Sequence, residues 1–373
     1  MEQIKNKAQK MELLLRYIPY PPLKVRLLRY YTRLYNFDKV SEILSEIPIR
    51  FPYNSNDRFQ LAFTCYKLNQ FKKAKELLQP YFPDKINREK LVSPHAKGLS
   101  LTHKERLILL AARFHIQEVY QNKGITIASD VFNDVQDLLD KVIVKRIKAK
   151  KQTDDSPKTA YILNSLNDFI KNIKNATSVA IIGNGPNLLN KKLGKEIDMH
   201  DIIVRMNFFH TKNYEQDTGI KTDIWVTGAN EAYVDKQLDQ TPKNILSILK
   251  SSGLQNKTTF LPTIEKIEER LRQAYTDFIT IPAEQQTLAE VKCLTETPST
   301  GMRSISFMVN ICNKNVDLYG FDFFSTTAHH YYDVNRPLGK DFKDRKMWYV
   351  GHDFSWEAIY AQILAYQKRA NIF

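Results

Sequence analysis

The segment Val179–Asp223 constrains the fold of this chain more than any other. Val179 to Ile182 are four apolar residues that read as a buried parallel strand. They run straight into Gly183-Asn184-Gly185-Pro186-Asn187, a turn that only small or φ-fixed residues can make. A second apolar run, Ile202 to Val204, ends in Arg205-Met206-Asn207. Two strand ends therefore each present an asparagine amide, which both donates and accepts hydrogen bonds. Buried strands that end in Gly/Asn turns are where open α/β sheets place their ligands. A plain pair of strand-to-helix turns is the alternative for the GNG triplet on its own.

The pattern around this segment continues it. Ala160 to Ile173 reads as a helix, Ile224-Trp225-Val226 as a strand, Lys243 to Ser251 as a helix and Thr259-Phe260-Leu261 as a strand. Ile264 to Thr276 reads as a helix and Val316 to Tyr319 as a further buried strand. Such alternation predicts a mostly parallel sheet covered by helices. The polar stretch Lys151 to Lys158 holds a proline and lacks periodicity, so we place a domain boundary there, giving domains 1–150 and 151–373.

The front half reads as all-helical. Arg33 to Leu44 and Lys67 to Leu78 are two copies of one pattern that begin 34 residues apart, the period of tetratricopeptide helix pairs. Pro48 and Pro80 close the second helix of each copy. Leu107 to Tyr120 and Val131 to Lys150 read as further amphipathic helices. A generic array of helical hairpins predicts nearly the same shape.

Charge is divided unevenly between these halves. Residues 1–150 carry 28 Lys+Arg against 15 Asp+Glu, and residues 151–373 carry 27 against 26. Anionic lipid headgroups or a phosphorylated lipid-linked glycan would suit the basic half, as would nucleic acid on charge alone. A solvated helical surface rich in lysine is the competing view. No apolar run approaches the 18 or so residues of a membrane span, and the N-terminus lacks the pattern of a signal peptide. Cys65, Cys293 and Cys312 show no metal spacing and no even disulfide framework, which suits a reducing compartment.

Three shorter strings carry chemistry. Pro298-Ser299-Thr300-Gly301-Met302 precedes an apolar helix to Cys312 and then Val316-Asp317-Leu318-Tyr319-Gly320-Phe321-Asp322. Ser299 or Thr300 can cap that helix, and the N–H groups of its first turn can meet a phosphate or ribose hydroxyl. Gly320 allows close backbone approach at the strand end. By itself the first string is an ordinary cap. The others are His330-Tyr331-Tyr332-Asp333 and His352 followed five residues later by Glu357, with a helix from Trp356 to the C-terminus.

Together these strings resemble the large, small, third and very small sialyl motifs of the eukaryotic-type sialyltransferases, glycosyltransferase family 29, in the family's order over roughly residues 175–373. The large motif matches at Gly183-Asn184, Asn187-Leu188, Gly194, Ile197-Asp198, His200-Asp201, Val204 to Asn207 and Tyr214 to Asp223. The resemblance implies a Rossmann-like mostly parallel sheet, a variant of the GT-A glycosyltransferase fold, here preceded by an all-α, tetratricopeptide-like domain. The family's cysteine at the Val179 position, disulfide-bonded to the cysteine that is Cys312 here, is missing. Cys312 should then be a free thiol in a reducing cytoplasm. Thr297 stands where animal members often carry a tyrosine that reaches the donor phosphate, and Tyr331 is the candidate to supply that contact.

The implied reaction is inverting transfer of a sialic acid, or a related 2-keto sugar acid, from a CMP-sugar donor to a glycan hydroxyl. The sequence has no Asp-x-Asp pair, so the leaving phosphate should be met by protein donors, with no metal or other cofactor. His330 and His352 are the expected catalytic residues, His330 donating to the phosphate and His352 acting as general base on the acceptor hydroxyl. Asn184, Asn207, Ser299, Thr300, Gly301, Gly320 and Tyr331 are expected to bind CMP, with Gly183 and Glu357 in support. Expected partners are the CMP-sugar and a glycan or glycolipid of bacterial surface polysaccharide, lipooligosaccharide or capsule. No nucleic acid is expected. The expected location is the cytoplasm, with peripheral contact at the inner face of the anionic membrane. CMP-Kdo is the alternative donor, and a non-catalytic nucleotide-binding or helical-repeat scaffold the alternative of another class.

Overall fold

The computed structural model describes residues 2–18, 20–34, 36–82, 101–144, 147, 157–227, 247–250, 278–281, 283–295, 297–325, 330–333 and 352–373. Thr259-Phe260-Leu261, Ile264 to Thr276 and most of the stretch Lys151 to Lys158 lie outside them. The described residues fall into two compact units. One lies within Met1–Ile143, Leu294–Glu296 and Leu338–Asp353, the other within Val144–Cys293, Thr297–Pro337 and Phe354–Phe373.

The first unit is helical. It opens with α1 (Glu2–Tyr17), α2 (Pro21–Arg33), α3 (Phe37–Glu46), α4 (Ser55–Lys67) and α5 (Phe71–Leu78). The second helix of each copy of the repeat is α3 and α5, and the turn between α4 and α5 carries Asn69 in the left-handed region, at φ 58°. Local chemistry sets the starts. Asn36 and Asn54 accept the backbone N–H of Lys39 and Asp57, and Thr102 and Glu105 form a reciprocal capping box. The capped helix His103–Leu139 is broken at Gly124, whose φ of 81° no other residue type adopts cheaply. Its first half buries Leu107, Leu110 and Phe114 against Leu61, Leu77 and Leu78 of α4 and α5. Beyond Leu139 the chain continues as a π-helical turn, Asp140–Val144.

In the second unit, the helix Pro157–Asn175 leads into a sheet that has seven strands among the described residues, ordered β5-β4-β3-β2-β1-β6-β7 with each described pairing parallel. The strands are β1 (Val179–Ile182), β2 (Ile202–Met206), β3 (Ile224–Thr227), β4 (Ser247–Lys250), β5 (Phe278–Thr280), β6 (Val316–Tyr319) and β7 (Ala370–Ile372). β1 and β2 are buried along their whole lengths, as continuous apolar runs in parallel sheets are. From β1 the chain steps outward to β5, then crosses back to lay β6 on the other side of β1. The order reverses at β1, so the crevice between the ends of β1 and β6 is where such a sheet takes its ligand.

Two expectations are corrected. Ser247–Lys250, expected within a helix, is β4, held by β3 and β5 on either side. A short apolar run fits either period, and here the sheet decided it. The C-terminal helix runs only from Phe354 to Tyr366; the chain then turns through Lys368, at φ 58°, and adds β7 to the edge of β6.

Candidate active site

The crevice is built from backbone first. Gly183 N–H donates to the Tyr319 carbonyl at 2.7 Å, and Gly185 N–H to the Gly320 carbonyl at 2.8 Å. The ends of β1 and β6 are thus tied together past the last sheet pair. The approach is close enough to require glycine: a Cβ at Gly183 would stand 2.3 Å from the Gly320 oxygen. Gly320 itself turns at φ 68° with Leu188 packed over it.

Asn184 links this corner to β2. Its Nδ2 donates to the carbonyl of Phe208 at 3.0 Å and toward that of Met206 at 3.4 Å, and its own carbonyl accepts the Tyr331 N–H at 3.0 Å. Asn207, at φ 51°, caps β2; its N–H reaches the Val226 carbonyl and its carbonyl accepts Trp225 Nε1–H. Asparagine tolerates that left-handed turn better than most side chains.

The helix Thr300–Ser306 opens onto the same corner. The ring of Phe321 lies between it and β1: Phe321 Cε1 would be 2.9 Å from a Cβ on Gly301, and Phe321 Cδ2 3.2 Å from one on Gly183. Met206 Sδ would be 3.2 Å from the same Gly301 Cβ. Gly183, Asn184, Asn207, Gly301 and Gly320 therefore gather around Phe321 and Met206. Phe321 stands in the small-motif string, beside the expected site residue Gly320.

Ser299 and Glu357 face inward. Ser299 is the N-cap, accepting Met302 N–H at 3.1 Å, while its own N–H and hydroxyl go to the buried carboxylate of Glu357. Thr300 and Gly301 supply the N–H groups that this cap does not use. Tyr331 is also turned inward, 1% exposed. Its hydroxyl accepts His210 N–H and donates to the His210 carbonyl, and burial pushes it up to about 12. That geometry makes Tyr331 a brace for the Asn207–His210 segment.

His330 sits among rings, 5.1 Å from Tyr332 and 6.1 Å from Phe324. Phe324 meets Phe354 at 4.5 Å. Phe323 and Phe324 both adopt left-handed backbone, at φ 49° and 55°, in a turn closed by Ser325 N–H on the Asp322 carbonyl. Each such residue costs about 1–2 kcal/mol. His210, which the sequence reading did not single out, packs edge-on to Phe208 and Tyr332; desolvation lowers its pKa and favours the neutral ring. The only signal for it was a histidine closing the Phe-Phe-His run after Asn207. His352 belongs to the first unit.

The aspartates of Val179–Asp223 hold backbone. Asp198 accepts from Ile220 and Lys221, Asp201 from Thr177 and Ser178, Asp217 from Asn190 and Lys192, and Asp223 from Ile203. Arg205, fully buried, donates to the carbonyls of Lys221 and Thr218 and stacks over Phe209. None of the three cysteines forms a disulfide, and all are buried.

A parallel sheet with a glycine-lined crevice at its point of reversal defines an α/β protein of the Rossmann-like kind. The family model of glycosyltransferase family 29 (sialyltransferase) matches residues 131–368, and the chain belongs to that family. It is 29% identical over 216 residues to the pig CMP-N-acetylneuraminate-beta-galactosamide-alpha-2,3-sialyltransferase 1 (Sus scrofa), covering 54% of this chain and 60% of the relative. It is 30% identical over 207 residues to the Mus musculus protein of that name, covering 52% and 58%. The chain thus spans about 60% of the length of these relatives. A crystal structure of a mammalian sialyltransferase in complex with Gal-beta-1-3GalNAc-ortho-nitrophenol aligns with a TM-score of 0.41 at 19% identity, over 79% of this chain and 94% of that one.

Proposed function

We propose that this chain is an inverting, metal-independent glycosyltransferase that moves a sialic acid from a CMP-sugar to a glycan hydroxyl. The observation that carries the reading is the gathering of Gly183, Asn184, Asn207, Gly301 and Gly320 at the reversal point of the sheet. The names of the relatives supply the donor class and a galactoside acceptor. CMP departs as an anion, so its phosphate needs donors. Thr300 and Gly301 N–H and His330 are those donors. His352 takes the acceptor proton, a role its motif position suggests. Ser299 and Glu357 support the site through their hydrogen bonds to each other and at the helix start, and Tyr331 through those it makes with His210. The aspartates engaged with backbone N–H groups, and a sequence without Asp-x-Asp, favour a leaving group met by protein donors.

Two variants test the roles. His352→Ala should cut turnover by about 10²–10⁴-fold, the usual cost of losing a general base, with little change in CMP affinity. His330→Ala should weaken CMP binding as well. Wild-type behaviour of both would sink the assignment.

We further propose that the first unit brings the enzyme to an anionic membrane and a lipid-linked acceptor of bacterial surface polysaccharide. On α1, Leu13, Leu14 and Tyr17 are exposed alongside Lys5, Lys7, Lys10 and Arg16, with exposed Ile18 and Tyr20 just beyond. Apolar groups set among lysines suit an interfacial helix. Among the described residues no helix is long and apolar enough to cross a membrane.

A further inference from the structure

We propose that the helical unit positions His352, with Tyr66, Lys67 and Arg113 acting as its positioning residues; this rests on the reading of His352 as the general base. Lys67 Nζ donates to the His352 carbonyl at 2.9 Å. The next residue along, Asp353, is buried, and its carboxylate lies 3.6 Å from Arg113 Nε. Tyr66, Lys67's neighbour at the end of α4, donates its hydroxyl to Gln117 Oε1, and its ring lies under the Arg113 guanidinium at 5.3 Å. Arg113 Nη1 also donates to Thr295 Oγ1 at 3.2 Å. Lys67 of α4 thus holds His352 directly, while its neighbour Tyr66 backs Arg113 of the long helix His103–Leu139, which pairs with Asp353.

A buried ion pair is a poor source of net stability, but removing one partner strands the other. Arg113 is 1% exposed and Asp353 6%. Their pairing therefore fixes where the Asp353 backbone can sit, and with it the ring one residue before. The helical unit then carries the groups that orient His352.

The test uses the full chain with CMP-N-acetylneuraminate and a β-galactoside, reading CMP release. Arg113→Met should lower kcat by about 10–100-fold, as for a reacting group held roughly 1 Å out of place, with donor KM within about twofold. Arg113→Lys keeps the charge and should recover most of the loss. In a His352→Ala background Arg113→Met should cost nothing further, because coupled residues do not add. Lys67→Met, which leaves the buried pair intact, should lower kcat in the same sense and decides the matter if Arg113→Met does not fold. Equal fold losses with and without His352, or unchanged kcat in both Arg113→Met and Lys67→Met, overturn the proposal while leaving the general base in place. Full activity of His352→Ala overturns the general base itself.

Discussion

Ser299 gives both of its hydrogens to Glu357: the backbone N–H to Oε1 at 2.7 Å and the hydroxyl to Oε2 at 2.6 Å. Since the same hydroxyl caps Met302, the carboxylate sets the angle at which the helix Thr300–Ser306 meets the crevice. Glu357→Gln removes one acceptor from this arrangement. Hydrogen bonds to charged groups contribute about 1.5–3 kcal/mol, so we expect a stability loss of that order and weaker CMP binding. Urea unfolding and CMP titration measure the two; an unchanged midpoint with unchanged affinity would contradict the role.

The glycines at the crevice should respond differently to a methyl group. At Gly183 the new Cβ meets backbone, the Gly320 carbonyl, which cannot step aside. Gly183→Ala should cost about 4 kcal/mol or more, or prevent folding. At Gly301 it meets side chains, Phe321 and Met206. Gly301→Ala should cost about 1–3 kcal/mol as those groups shift, and CMP affinity should fall with it. Thermal melting of the two variants, with Gly301→Ala the less stable, would count against this geometry.

Much of the site was legible in the sequence because strand ends and caps leave short-range marks. Gly183-Asn184, Asn207 and Gly320 each sit at the end of a strand-like run, and Ser299 carries a cap's signature. What could not be read was long-range. Nothing near Ser299 announces Glu357, nor does anything near Tyr331 announce that its hydroxyl is taken up by His210. β4 escaped because Ile248 and Leu249 fit helix and strand alike, and only pairing with β3 and β5 settles the choice. β7 escaped because three residues at a chain end give no period. The Arg113–Asp353 pair joins residues 240 positions apart in sequence, beyond the reach of any motif.

The thiols should be unreactive in the folded protein. Burial pushes both Cys65 and Cys312 up to about 12, so little thiolate is present at neutral pH. An Ellman titration should be slow in buffer and should count three thiols in denaturant. Rapid native reaction of Cys312 would contradict its burial at the end of the π-helical turn Phe307–Ile311.

Membrane attraction should depend on α1. About 1 kcal/mol per basic residue is available at an anionic surface, and it fades with salt. The full chain should cosediment with phosphatidylglycerol vesicles at low salt and less at high salt. Leu14→Glu with Tyr17→Glu should abolish this without altering turnover of a soluble acceptor. Cosedimentation unaffected by the double variant, or absent at low salt, would remove the proposal.

The most direct test of the account is CMP release in the presence of EDTA, measured with CMP-N-acetylneuraminate and with CMP-Kdo, each with and without a β-galactoside. We expect CMP to be released from CMP-N-acetylneuraminate, in amounts equal to the sialylated galactoside formed, with EDTA making no difference. Release from CMP-Kdo alone would replace the donor sugar. Strict dependence on magnesium or manganese would overturn the leaving-group chemistry, and no release from either donor would contradict the enzyme itself.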